Sequence, residues 1–391
     1  MTLGMDNGPM TPGPEQFETQ QSLLEAIERS CTRPWTLMEV CGGQTHALLR
    51  HGIDQRLPEA IRLIHGPGCP VCVTPAEKLD QAMDLAAQPG VILCSFGDML
   101  RVPGSHKRTL MSVRAAGGDV RVIYSPLDVI AIARRHPLQH VVFFAVGFET
   151  TAPATALLAR QALALELPNL SLLVCHVRVP PVLESLLADP SCQVEAILAA
   201  GHVCTVTGQR AYEGLAERHR CPIVVTGFRS QELLQGILQA IRQLERGLHR
   251  VENGYARVAN DDGNAAAQAL LQQVFQPVDS PWRGLGMVPA GGLALRPPYD
   301  QLAAERTGAG VGAGAGAGSW QARRAQALSP SSELCLSGEI CLSGEILRGQ
   351  RLPPACPSFL NACTPEHPLG APMVSSEGAC AAYARYQGLR R

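Results

Sequence analysis

Aromatic residues make up only 4% of this 391-residue chain. With so few large rings, its cores have to be built from Leu, Val, Ile and Ala. An excess of charge of one sign is missing as well. Lys and Arg number 33 against 34 Asp and Glu, a formal net charge of -1, which offers no footprint for nucleic acid or an acidic lipid surface. No apolar run approaches the ~20 residues needed to cross a bilayer, so no membrane partner is expected. Residues 1–16 are polar and carry Pro and Gly without a cationic stretch leading into an apolar one, so no export signal is expected. A phosphate-binding G-x-x-x-x-G-K-[ST] is absent, as is a G-x-G-x-x-G in the strand-to-helix context that nucleotide binding requires. Ser-His-Asp hydrolysis has no motif support either.

What is present is a globular composition. Hydrophobic residues reach 46% and charged residues 17%, which excludes a disordered chain, and the length allows two or three domains. Fourteen cysteines in an expected cytoplasmic, reducing setting point to metal binding or electron exchange more than to structural disulfides.

Short apolar runs recur at 61–64, 91–94, 120–124, 141–146, 172–177, 195–199 and 222–225, each breaking within three residues into Gly, Ser, His or Pro. Runs of this length read as buried parallel strands, with crossover helices expected at 79–87, 154–165 and 231–244. The expected fold is α/β: two doubly wound parallel-sheet domains and a smaller, mainly helical or irregular C-terminal domain. The expected boundaries are an N-terminal segment and helix over 1–34, α/β domains over 35–136 and 137–248, and a third domain over 249–391. That third domain contains a Gly/Ala linker at 308–318 and a tandem duplication of CLSGEI at 335–340 and 341–346.

Open parallel sheets bind ligands outside the carboxyl ends of their strands. There the sequence places Cys41 with His46, the pair Cys69 and Cys72, Glu149 with its two threonines, and His202. Cys69 and Cys72 form a C-x-x-C, suited to disulfide exchange or to one edge of a metal site. Their Gly and Pro neighbours suggest accessible rather than packed thiols. Cys41 follows a strand-like 37–40 and opens a Gly-Gly turn; His46 nearby reads as an orienting hydrogen-bond partner or as a structural one. Glu149, Thr150 and Thr151 read as caps of the following helix or as anion binders at its N-terminus. Cys94, Cys175, Cys192, Cys204 and Cys221 lie in or beside apolar runs and read as core.

In the tail, Cys341, Cys356, Cys363 and Cys380 have spacings of 15, 7 and 17 residues. These match neither a zinc ribbon nor the compact ferredoxin run. Four thiols in a segment poor in apolar content still suit an iron-sulfur cluster or a structural zinc that would organise it.

Seven ordered motifs then point one way: CGGQTH at 41–46, HGPGCPVC at 65–72, GFETTAP at 147–153, GHVCTVTG at 201–208, VENGYARV at 251–258, WRGLG at 282–286 and MVSSEGACAAY at 373–383. Together they closely resemble the HypD hydrogenase maturation proteins, from about residue 22 to 386. The resemblance implies a scaffold for building the Fe(CN)2CO group of [NiFe] hydrogenase with a small HypC-type chaperone. A HypE-type partner would deliver cyanide, and the hydrogenase large subunit would be served indirectly. It implies Cys41 as an iron ligand, Cys69 and Cys72 as a redox pair, and Cys341, Cys356, Cys363 and Cys380 as ligands of a [4Fe-4S] cluster. The chain departs from the family pattern at Gln44, where the family usually has His, and at Ser343, where it often has a second Cys. The duplication also offers Cys335 as a rival cluster ligand. A reading of a different class is an iron-sulfur-dependent thiol-disulfide oxidoreductase; a third is a binding protein with a structural zinc tail.

Overall fold

The computed structural model describes residues 14–307 and 341–386. The Gly/Ala tract at 308–318, Cys335 and the first CLSGEI copy lie outside the described residues. A five-stranded parallel sheet has the order β2-β1-β7-β8-β9, from β1 (Trp35–Glu39), β2 (Ile61–His65), β7 (Ala196–Ala200), β8 (Ile223–Thr226) and β9 (Val251–Asn253). A four-stranded parallel sheet has the order β4-β3-β5-β6, from β3 (Val91–Ser95), β4 (Asp119–Val122), β5 (His140–Gly147) and β6 (Leu170–His176).

Both faces of each sheet are covered, and the period-2 alternation of side chains explains why the runs look continuously apolar. In the larger sheet Met38, Ile64, Ile197 and Val225 enter one core while Leu37, Leu63, Leu198 and Val224 enter the other. In the smaller sheet Leu93, Val142, Phe144 and Leu173 point one way and Ile92, Val141, Phe143 and Leu172 the other. Fully burying one such side chain is worth about 1.5–3 kcal/mol. Three expected crossover helices form at Ala76–Ala86, Ala152–Ala164 and Ser230–Glu245. The first helix, Pro14–Ser30, lays Leu24 and Ile27 against Leu234, Ile237 and Leu238 of Ser230–Glu245.

Strands from both sides of residue 137 share each sheet. The four strands between 91 and 176 make one sheet by themselves, inserted between β2 and β7 of the other. A buried parallel run reveals that it is a strand but not which strand it pairs with, so β7 joining β1 across the insertion was invisible. The chain therefore crosses between sheets twice, through the Cys69–Cys72 segment after β2 and through the helix Val179–Leu187 after β6.

Beyond residue 249, where few strands were expected, an antiparallel hairpin forms from β10 (Phe275–Trp282) and β11 (Gly286–Leu295). Two prolines in β10 and three glycines in β11 hide its periodicity. Residues 341–386 form only short helices, including Ser343–Leu347, Ala371–Val374 and Ala379–Tyr386. This segment joins the main cores rather than standing apart: Leu347 enters one core, and Ala371 and Val374 enter another.

Candidate functional site around Cys41

The order of a doubly wound sheet reverses at one point, and ligands gather there. In the larger sheet that point lies between the carboxyl ends of β1 and β7, because β2 flanks β1 on one side and β7 on the other. Cys41 follows β1, and His202 sits in the first turn of the helix Gly201–Thr207 after β7. Their side chains meet there, with Cys41 Sγ 3.8 Å from His202 Nδ1. Burial pushes the Cys41 thiol up to about 12, with the nearby Glu39 carboxylate adding to the rise, and burial lowers His202. The pair is therefore thiol and neutral imidazole, not an ion pair. Phe228, after β8, closes one side, its ring 5.3 Å from that of His202.

Cys41 caps the helix Gly42–Arg50 with extended backbone. Its amide donates to Glu39 Oε2 at 2.8 Å. Glu39 Oε1 accepts from the Thr45 hydroxyl and lies 2.6 Å from His65 Nδ1, and His65 Nε2 lies 3.0 Å from the Tyr383 hydroxyl. Glu39, His65 and Tyr383 are all buried. Gln44 Nε2 donates to Ala199 O at 3.2 Å and to Thr226 Oγ1 at 2.7 Å, tying the ends of β7 and β8, while its Oε1 has no partner among the described residues.

Cys69 and Cys72 are joined as a disulfide. Their loop presses on Cys41: Gly42 N donates to Gly68 O at 3.0 Å, and Gly66 N to Glu39 O at 2.8 Å. The expectation of accessible thiols is corrected here, since Cys41, Cys69 and Cys72 are 5%, 3% and 1% exposed. The glycines serve close backbone approach instead of exposure. A void of about 10 Å³, room for roughly one water, is lined by Gly68, Cys69, Cys72, Thr45, Pro372 and Glu377 among others. Both the disulfide and the C-terminal segment border it.

That segment covers the carboxyl ends of both sheets. Asp98, after β3, accepts from Ser375 Oγ at 3.3 Å and from Ser376 N and Oγ at 3.1 Å. Arg101 donates to Val374 O at 3.0 Å. His46 finds its partners there too, Ser376 O and the Tyr386 hydroxyl, with burial lowering its pKa.

Glu149 does not cap the helix that follows it. Thr151 caps that helix without a side-chain hydrogen bond and donates instead to Phe148 O at 3.1 Å. Glu149 Oε1 accepts from Val179 N at 2.9 Å, capping the helix after β6. Its Oε2 is buried without a partner among the described residues, and burial raises the carboxyl to about 7. Cys94, Cys175, Cys204 and Cys221 are buried as expected, whereas Cys192 is half-buried.

In the tail, the Cys380 thiol is pushed well up by burial and then by neighbouring Cys341, Cys363 and Cys356. Leu369 N donates to Cys363 Sγ at 3.3 Å. Three thiols within electrostatic reach of a fourth, Cys380, one of them already accepting an amide hydrogen bond, suit a thiophilic metal centre in donor chemistry. Among the described residues, no group of three or more His, Cys, Asp or Glu lies close enough to hold a metal ion.

Sequence reasoning had singled out neither Glu39 nor Tyr383. The signal for the first was there: Glu39 and His65 each follow two apolar residues at a strand end and are cross-strand partners in register.

A doubly wound α/β protein with a buried cysteine at its switch point and a disulfide alongside is the class defined so far. A profile of HypD, described as a hydrogenase formation hypA family, matches residues 18–387. The chain belongs to the HypD family. It is 44% identical over 370 residues to the hydrogenase maturation factor HypD of Rhodobacter capsulatus, covering 94% of this chain and 93% of that one. It is 43% identical to the factor of the same name from Azotobacter vinelandii, covering 92% of each chain. With that of Escherichia coli K12 the identity is 42%, covering 95% of this chain and 97% of the relative.

Proposed function

We propose that this chain is a cytoplasmic [NiFe] hydrogenase maturation factor, a scaffold on which the Fe(CN)2CO group is assembled with a HypC-type chaperone. A HypE-type protein would donate cyanide, and the hydrogenase large subunit would be served downstream. The observation that carries this reading is the meeting of Cys41 and His202 at the switch point, with the Cys69–Cys72 disulfide on the adjoining loop. Cys41 supplies a soft sulfur ligand for iron cargo, and His202 places a ring nitrogen 3.8 Å from that sulfur. Glu149 and His46 hold neighbouring elements in place.

Reduction of the Cys69–Cys72 disulfide takes two electrons and two protons and yields two thiols. Cys341, Cys356, Cys363 and Cys380 would hold a [4Fe-4S] cluster, whose chemistry is one-electron transfer. The resident redox pair makes the chain more than a passive carrier.

Cys41→Ala should abolish iron retention by the complex with its chaperone and remove the infrared bands of bound cyanide and CO. Undiminished iron and bands would reject Cys41 as ligand. Anaerobic purification followed by metal and sulfide analysis tests the tail; colourless protein with one zinc and no sulfide would defeat the cluster. The disulfide also favours a second reading, an iron-sulfur-dependent thiol-disulfide oxidoreductase. Under that reading the chain would turn over a disulfide substrate without chaperone or added iron.

A further inference from the structure

One continuous buried path joins the C-terminal segment to Cys41. The Tyr383 hydroxyl lies three residues beyond Cys380, at 3.0 Å from His65 Nε2. The two rings stand edge to face, 5.3 Å between centroids. His65 Nδ1 reaches Glu39 Oε1 at 2.6 Å, and Glu39 Oε2 accepts the Cys41 amide at 2.8 Å. Every link but the last joins side chains that are at most 3% exposed.

The donors order themselves. A backbone N–H can only donate, so Glu39 Oε2 accepts from Cys41, and the Thr45 hydroxyl is likewise assigned as donor to Oε1. With a carboxylate as acceptor, His65 donates through Nδ1 and leaves Nε2 to accept from Tyr383. Carboxylate-oriented imidazoles of this kind have fixed ring positions and tautomers. The geometry points to His65 as a positioning residue through which Tyr383 of the C-terminal segment sets how tightly the Cys41 loop is held. Docking of that segment and the availability of the Cys41 sulfur are then one property, not two. Its bearing on iron rests on the function proposed above, but the linkage itself is a matter of thiol access.

The two imidazole nitrogens can be deleted separately. An Asn amide reproduces a donor near the Nδ1 position, and a Gln amide a polar group near Nε2. In air-oxidised full-length protein, alkylation of Cys41 by iodoacetamide, read by peptide mass spectrometry, should rise about threefold in Tyr383→Phe and about tenfold in His65→Gln, the scale of one neutral and one charge-assisted hydrogen bond. His65→Asn should match Tyr383→Phe, and Tyr383→Phe should add nothing in the His65→Asn background, the non-additivity expected of one linked path. Alkylation of buried Cys94 and Cys221 should stay unchanged, because the loosening is local. Equal threefold effects of Tyr383→Phe in both backgrounds, or acceleration shared by Cys94 and Cys221, would overturn the linkage. An unaltered rate in His65→Gln would do the same. Because no iron enters the assay, its failure is distinct from failure of the scaffold reading.

Discussion

Gly68 lies against Cys41 with no space between them: a Cβ on Gly68 would stand 2.3 Å from the Cys41 nitrogen and 2.5 Å from its Cα. Both clashing atoms are backbone, so neither can swing aside. Gly68→Ala should therefore destabilise the protein by about 1–3 kcal/mol, the usual scale for overpacking. Urea unfolding measures it. Gly52→Ala is a poor control despite its open surroundings, because its φ of 59° is itself strained for alanine; Ala87→Gly on the surface of a helix end is better. A Gly68→Ala midpoint equal to wild type would show that the loop yields.

The Glu149 carboxyl is raised to about 7 from an ordinary 4.5. Between these values the folded chain holds a proton that the unfolded chain has lost, so folding weakens as pH rises through that window. Glu149→Gln keeps an oxygen for Val179 N and removes the titration. Its stability relative to wild type should improve between pH 4.5 and 8 by on the order of 3 kcal/mol. Unfolding of both proteins at pH 5 and pH 8 reads this difference directly; a gap independent of pH contradicts it. His176, lowered to about 4 from 6.5 by burial, works the other way. The unfolded chain protonates first there, so that contribution is lost as pH falls from 6.5 towards 4. The two cancel in part in wild type, and Glu149→Gln should uncover the His176 slope.

The Tyr212 hydroxyl is fully buried and has no partner among the described residues. Such a group costs about 1–3 kcal/mol when left unmade. Tyr212→Phe should thus be neutral or stabilising, which thermal denaturation will show. A loss above about 1 kcal/mol would instead mean a bound water completes the site.

Asp98 is the latch between the smaller sheet and the C-terminal segment through Ser375 and Ser376. Asp98→Ala should speed amide exchange of residues 373–378 while leaving β5 protected, a local opening rather than a global one. Unchanged exchange at Ser376 would assign the docking to Arg101, to the His46 and His65 contacts and to the apolar packing instead.

Strands β3 and β5 to β8 were legible because each is buried on both faces and so reads as a nearly uninterrupted apolar run, whereas β1, β2 and β4 carry Thr36, Arg62 and Arg121 among their apolar residues. Ile92 and Leu93 look alike in sequence although they face different cores. The same uniformity conceals pairing, so the β1–β7 neighbourhood cannot be read from the runs themselves. Cys41 and His202 were both legible as strand-end residues, but their contact depends on that hidden pairing. Burial of the thiols is not legible from Gly66 and Gly68: the missing side chain of Gly68 admits the Cys41 backbone and that of Gly66 the Met38 and Val40 side chains, not solvent. The role of Tyr383 depends on a contact spanning 318 residues, which local pattern cannot report.

The insertion of one sheet within the other also sets a timetable for synthesis. Strands β3 to β6 lie together between residues 91 and 176, whereas β1 cannot gain its second neighbour until β7 has been made. A growing chain halted near residue 195 should already protect the four-stranded sheet from protease while leaving residues 35–65 open to cleavage, and protection of both would refute this order. The cysteine at the switch point is thus among the first residues made and among the last to be enclosed. Cys69 and Cys72 emerge into that same interval, so whichever oxidant or reductant reaches the nascent chain meets these thiols before the fold hides them.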